Sequence, residues 1–125
     1  MQPAIQDRLY KELKLNYPED RLEIDYDRIN ASPYLEAFIK EVLRRHLGIS
    51  KIFRKALVDC EFAGIKIKKE TFISVPIYAL HHDERYWPDP FKFKPERFLH
   101  KEPEPFTYLP FGDGPRQCTF ELSKL

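Results

Sequence analysis

Cysteine is scarce in this 125-residue sequence: it occurs only at Cys60 and Cys118, far apart and in unlike surroundings. Two thiols so placed do not make a disulfide scaffold, and they fall short of the four clustered ligands of a structural zinc site. An excess of charge is lacking too. Lys and Arg number 21 against 20 Asp and Glu, a net charge of +1, so no large field gathers nucleic acid or an anionic membrane. No run approaches the ~20 apolar residues needed to span a bilayer. The first ten residues have no apolar core following a basic segment, as a secretory signal would. No internal repeat or low-complexity tract occurs. The length bounds the chain to at most one domain, long enough to bury a core.

What is present is a patterned first half and an aromatic, proline-rich second half. Ile5, Leu9 and Leu13 share one face of an amphipathic helix over residues 3–15, ended by Asn16-Tyr17-Pro18 and followed by an acidic connector over 19–27. Ser32 is placed to cap a second helix, with Pro33 at its first position, where a missing N–H costs nothing. Leu35, Phe38, Ile39, Val42, Leu43 and His46 follow 3.6-residue spacing and predict its buried stripe. Glu36 and Lys40 form an exposed pair, and the end is expected near Leu47-Gly48. Residues 52–57 read as a strand with Phe53 and Arg54 on opposite sides. Residues 60–67 read as a hairpin, 71–77 as a more buried strand and 78–82 as a helical turn.

From residue 86 to 116, seven prolines interrupt eight interleaved aromatics. A long structureless loop is unusual in a compact domain unless it is functional. The aromatics bring large apolar area to bury, so an ordered meander is expected. Residues 119–125 read as a helix start, which would set a helix N-terminus beside the Cys118 sulfur and favour its thiolate.

Cys118 closes the loop Phe111-Gly112-Asp113-Gly114-Pro115-Arg116-Gln117-Cys118. Its glycines permit tight backbone and close approach, and its proline stiffens it. A lone cysteine is usually a small buried hydrophobe; this setting favours a metal-ligating thiolate. A nucleophilic cysteine would need a histidine base, and the sequence places none beside it. Arg116 is either a solvated cation or a partner for an anionic cofactor group. Glu41 and Arg44, three apart on the side away from the apolar stripe, form an acid–base pair that alone means little, with Arg45 as a competing partner. Arg97 would clamp the same carboxylate if it reached Glu41. His81-His82 beside Asp83 and Glu84 point to different sides and read as surface polar residues rather than a metal site.

Taken in order, these pieces resemble the C-terminal part of a cytochrome P450, a haem-thiolate monooxygenase of the microsomal eukaryotic type. Glu41 and Arg44 match the family's Glu-Xaa-Xaa-Arg helix motif. Pro95-Glu96-Arg97-Phe98, preceded by Trp87-Pro88-Asp89-Pro90, is its meander motif intact. Phe111, Gly114, Arg116 and Cys118 match its haem loop, while Phe120 stands where that loop has a second glycine. The resemblance implies an α+β class: part of a mostly helical fold with a small β-sheet, a meander and a haem-binding loop, as one partial domain over residues 1–125.

It also implies roles. Cys118 would ligate the iron of haem b, Arg116 and Arg54 would contact propionates, Phe111 would pack beside the thiolate and help exclude water from it, and Gly114 would belong to the same haem-binding set. Glu41, Arg44 and Arg97 would form a structural triad. The activity implied is insertion of one atom of dioxygen into a small lipophilic organic substrate, with electrons from NADPH through a reductase partner and with no nucleic acid involved. The intact enzyme would sit at the endoplasmic reticulum membrane. This sequence would correspond to its last quarter, lacking the membrane anchor, the distal helix and the substrate-recognition segments, and would be inactive in isolation. The alternative, resting on Phe120, is a non-catalytic fragment or interaction module that binds no haem.

Overall fold

The computed structural model describes residues 2–17 and 26–118. Helix α1 (Pro3–Asn16) runs over the expected segment and half-buries Ile5, Leu9 and Leu13. A short helix α2 (Tyr26–Asn30) takes the end of the stretch expected as connector, so that Asp27 sits in its first turn. Helix α3 (Pro33–Arg45) follows at once.

The start of α3 differs from the expected capping. Ser32 is buried and its side chain makes no capping bond to the helix. Its Oγ accepts from Asn16 Nδ2 at 2.8 Å. The free N–H groups of Tyr34 and Leu35 donate instead to the two carboxylate oxygens of Glu12 on α1, at 3.0 and 3.1 Å. A carboxylate at a helix N-terminus satisfies orphan donors and opposes the helix dipole, so Glu12 does from a distance what Ser32 was expected to do locally. The far end departs as well: α3 stops at Arg45 with His46 as C-cap at φ −121°, before the Leu47-Gly48 stop expected.

The burial of α3 is turned relative to its hydrophobic stripe. The fully buried positions are Tyr34, Ala37, Glu41 and Arg44, spaced at helical intervals along one face. Leu35, Phe38, Ile39, Val42 and Leu43 are only half-buried, and His46 is exposed. The physical reason lies in what packs where. The meander covers the Glu41 face, whereas Leu35, Ile39 and Leu43 line an open groove of about 540 Å³ whose other wall is Phe106, Leu109, Pro110 and Phe111.

Beyond α3 the chain forms two small antiparallel ribbons. Strand β1 (Ile52–Lys55) pairs with β4 (Phe72–Val75), placing Phe53 opposite Ser74 and Arg54 opposite Ile73. Between them β2 (Cys60–Phe62) and β3 (Ile65–Ile67) make the predicted hairpin. Its two turn residues, Ala63 and Gly64, both have positive φ (49° and 78°), the geometry whose twist matches a tight hairpin. Strand β4 is not the more buried strand the sequence suggested: Phe72 is 70% exposed and only Val75 is half-covered. A two-stranded ribbon with one edge on solvent cannot enclose its own β-branched residues.

Helix α4 (Ile77–His81) then turns the chain into the meander, where the single 3-10 turn Pro95–Phe98 packs against α3. Order there comes from aromatic contact. Trp87 lies 5.7 Å from Phe98 and 6.2 Å from Tyr108, and Phe93 meets Phe38 of α3 edge-on at 5.4 Å. Helix α1 is tied to the same turn by Arg8, which donates to Glu96 at 2.9 Å and lies over the Tyr34 ring. The expected helix start at 119–125 lies outside the described residues, as do residues 18–25. Among the described residues no helix is long and apolar enough to cross a membrane.

Candidate functional site

A fully buried carboxylate sits at the centre of the site. Glu41 and Arg44, three apart on α3, are both 0% exposed. Arg44 Nε donates to Glu41 Oε2 at 2.8 Å and Nη2 to Oε1 at 2.9 Å, a two-pronged pairing that suits the planar guanidinium. The rest of Arg44 holds backbone: Nη1 donates to the His81 carbonyl at 2.6 Å and Nη2 to the Pro90 carbonyl at 2.8 Å. The guanidinium also lies 5.4 Å from the Trp87 ring centre.

From the other side, Arg97 Nε reaches Glu41 at 3.2 Å and the Lys94 N–H donates to Glu41 Oε1 at 2.9 Å. Arg97 then donates onward to the carbonyls of Pro88, Asp89 and Lys92. Glu41, Arg44 and Arg97 are therefore in contact, and Arg45 takes no part in the cluster. Each arginine directs its further donors at backbone carbonyls, Arg44 at α4 and the meander and Arg97 at the meander. Asp89, whose backbone takes a positive φ of 51°, has its carboxyl held down to about 2 by hydrogen bonds from Lys94 and Lys92.

Sequence reasoning missed His81. It is not a surface residue: it is 0% exposed, stacked on Tyr108 at 5.5 Å and edge-on to Trp87. Its Nε2 accepts the Leu109 N–H at 2.8 Å, and its Nδ1 lies 3.3 Å from the Arg44 carbonyl oxygen. Burial pushes its imidazole down from 6.5 to about 4, and the charges of Arg44 and His82 add to the effect against the Arg44 carbonyl. Tyr108 donates its hydroxyl to the Lys40 carbonyl at 3.1 Å, and burial, with the Glu41 charge, raises its phenol well above the ordinary value. The one available sequence signal was His81's place four residues after Ile77, on the buried side of α4.

The cysteine loop begins where Tyr108 and Leu109 leave this cluster. The Gly112 N–H donates to the Leu109 carbonyl at 3.3 Å, Gln117 to Gly114 at 3.0 Å, and Cys118 to Phe111 at 2.9 Å, closing the loop on itself. Gly112 and Gly114 take φ of +78° and +79°, a conformation that side chains resist. A Cβ at Gly114 would meet nothing within 4 Å, so its requirement is conformational. Phe111 is half-buried at the groove, while Cys118 and Arg116 are exposed; Cys60 is likewise an exposed free thiol.

Among the described residues Arg116 has no ion-pair partner, and Arg54, half-buried on β1, donates only to the neighbouring Phe53 carbonyl. Thus the loop brings Phe111, Gly114 and Cys118 together through its own hydrogen bonds. No contact joins Arg54 to Arg116 or to the sulfur. No group of three or more His, Cys, Asp or Glu among the described residues could hold a metal ion.

The family model for Cytochrome P450 matches residues 1–119. Relatives include Cytochrome P450 3A31 of Mesocricetus auratus, 36% identical, and Cytochrome P450 3A12 of Canis lupus familiaris, 38% identical. Cytochrome P450 3A9 of Rattus norvegicus is 38% identical. Each alignment covers 93% of this chain and 24% of the relative, so the chain spans about a quarter of their length. With the family model matching nearly the whole chain, the chain belongs to the cytochrome P450 family and carries an α+β part of its fold.

Two outcomes test the buried cluster. Glu41→Gln leaves the Arg44 charge buried without its counter-ion and should cost about 3–5 kcal/mol in denaturant unfolding; a loss below about 1 kcal/mol would show that the carboxylate is not the hub. The second is a pH dependence. The unfolded chain protonates His81 below about 6.5 but the folded chain only below about 4. The contribution is therefore complete above pH 6.5 and is lost as pH falls towards 4, in total about 3 kcal/mol. Unfolding midpoints should fall across that window, and the fall should disappear in His81→Gln. An equal fall in both proteins would contradict it. Asp89 titrates lower, so its loss is separable.

Proposed function

We propose that this chain is the proximal, cysteine-bearing part of a haem-thiolate monooxygenase, with Cys118 as the thiolate ligand of haem b. The observation that carries the reading is the Cys118 loop itself: it is closed by its own backbone bonds and opened by two glycines, and it presents an exposed sulfur two residues after an exposed arginine. The donor set suits the group. A soft thiolate is an established axial ligand of haem iron, and an exposed guanidinium suits a propionate.

In this reading Cys118 would hold the haem iron through its thiolate, and Arg116 and Arg54 would hold propionates. With haem in place Phe111 would pack beside the sulfur and help exclude water from it, and Gly114 lets the loop keep a conformation that a side chain would oppose. Glu41, Arg44 and Arg97 do no chemistry; they fix the meander from which the loop springs. When bound, haem would supply the activation of dioxygen for insertion of one oxygen atom into a small lipophilic substrate, and the protein supplies ligand, orientation and enclosure. The whole enzyme would take electrons from an NADPH-dependent reductase at the endoplasmic reticulum membrane.

The test is spectroscopic. Haem is titrated into the purified chain, the complex is reduced, and carbon monoxide is added. A saturable spectrum with a red-shifted Soret band of thiolate type is expected, and Cys118→Ser should abolish the shift. An identical spectrum in the Ser variant, or no saturable uptake by the wild type, would overturn the assignment.

A further inference from the structure

We propose that His81 is a positioning residue for the cysteine loop, coupling the buried Glu41–Arg44 pair to the loop's first fixed backbone group. Three contacts meet on this one residue. Its carbonyl accepts from Arg44 Nη1 at 2.6 Å, its Nδ1 faces the Arg44 carbonyl at 3.3 Å, and its Nε2 accepts the Leu109 N–H at 2.8 Å. A backbone N–H can only donate, so Nε2 must be bare and the proton of the neutral ring resides on Nδ1, directed at the Arg44 carbonyl. The tautomer is thus dictated from both sides, by α3 and by the loop.

Leu109 is the junction. Its N–H looks inward to His81, and its carbonyl accepts the Gly112 N–H at the start of the loop. The next residue, Pro110, has no N–H to offer, and the Phe111 carbonyl already receives the Cys118 N–H. A continuous series therefore runs from Arg44 through His81 to Leu109 and Gly112, one peptide from the Phe111–Cys118 closure. Tyr108 adds a second tie from the same stretch to α3, at the Lys40 carbonyl. An apolar residue at 81 would fill the space between Tyr108 and Trp87 but would leave the part-buried Leu109 donor without its acceptor.

The significance for the sulfur rests on the haem reading above; the coupling itself does not, and the experiment separates the two. In the wild-type chain, nitrogen-15 shifts of His81 should report the Nδ1–H tautomer, with a scalar coupling across the Leu109 N–H···Nε2 bond. An Nε2–H tautomer would overturn the proposal without any variant. His81→Phe should speed amide exchange at Leu109 and Cys118 by about tenfold while α3 amides such as Val42 keep their rates. His81→Gln, whose side-chain oxygen can accept from Leu109, should recover most of that protection. Unchanged exchange at Leu109 and Cys118, or equal acceleration along α3, would reduce His81 to an ordinary core residue. In parallel, haem-loaded His81→Phe should show a smaller red-shifted share of its carbon monoxide adduct than the wild type. A wild type that takes up no haem would count against the cofactor assignment, while the exchange rates still decide the role of His81.

Discussion

Burying a carboxylate and a guanidinium together imposes a severe condition, because each charge loses its hydration and must find every partner inside the protein. Glu41 and Arg44 meet that condition only when the meander is in place. The carboxylate takes two bonds from Arg44, one from Arg97 and one from the Lys94 N–H. The guanidinium then needs the carbonyls of His81 and Pro90. A stretch with almost no regular secondary structure thereby acquires a defined path, because its backbone carbonyls and amides complete a buried ion pair. Such a pair is weak evidence for net stability, since apolar replacements often serve as well. What the pair visibly does is join α3 to residues 81–97, because its remaining partners are the His81 and Pro90 carbonyls, the Lys94 N–H and Arg97.

The cysteine loop lies further along the same series of contacts. Its base is fixed by Tyr108 and Leu109 to α3 and to His81, and its outer part by its own hydrogen bonds. The sulfur itself stays exposed. Rigid support with an open tip is the division a ligand loop requires, since precision must come from the residues behind the loop while the donor atom remains available. The open groove between the outer face of α3 and residues 106–111 belongs to the same picture. It leaves the hydrophobic side of α3 half-covered among the described residues.

Much of this was legible in the sequence where the signal was local or motif-like. Helix α1, the 60–67 hairpin and the ordered meander follow from periodicity, turn residues and aromatic density. The three-residue spacing of Glu41 and Arg44 alone left Arg45 as a competing partner, and it was the resemblance carried by the short motifs that implied the triad with Arg97. What could not be read depends on partners distant in sequence. Glu12 caps α3 from 22 residues away, displacing Ser32, and His81 accepts from Leu109 across 28 residues. The stripe on α3 was correctly periodic, yet periodicity cannot say which neighbours arrive; the polar face was covered and the apolar face was left open. Strand β4 misled in the same way, since β-branched residues mark a strand but not what lies over it.

The central claim is that the meander is held as one unit with α3 through the Glu41 carboxylate. Native-state amide exchange over a series of low denaturant concentrations tests it most directly. The Lys94 N–H, which donates to Glu41 Oε1 at 2.9 Å, should open with the same free energy and the same denaturant dependence as the central amides of α3. A Lys94 amide that exchanges through a small local opening, while α3 stays protected, would contradict the claim.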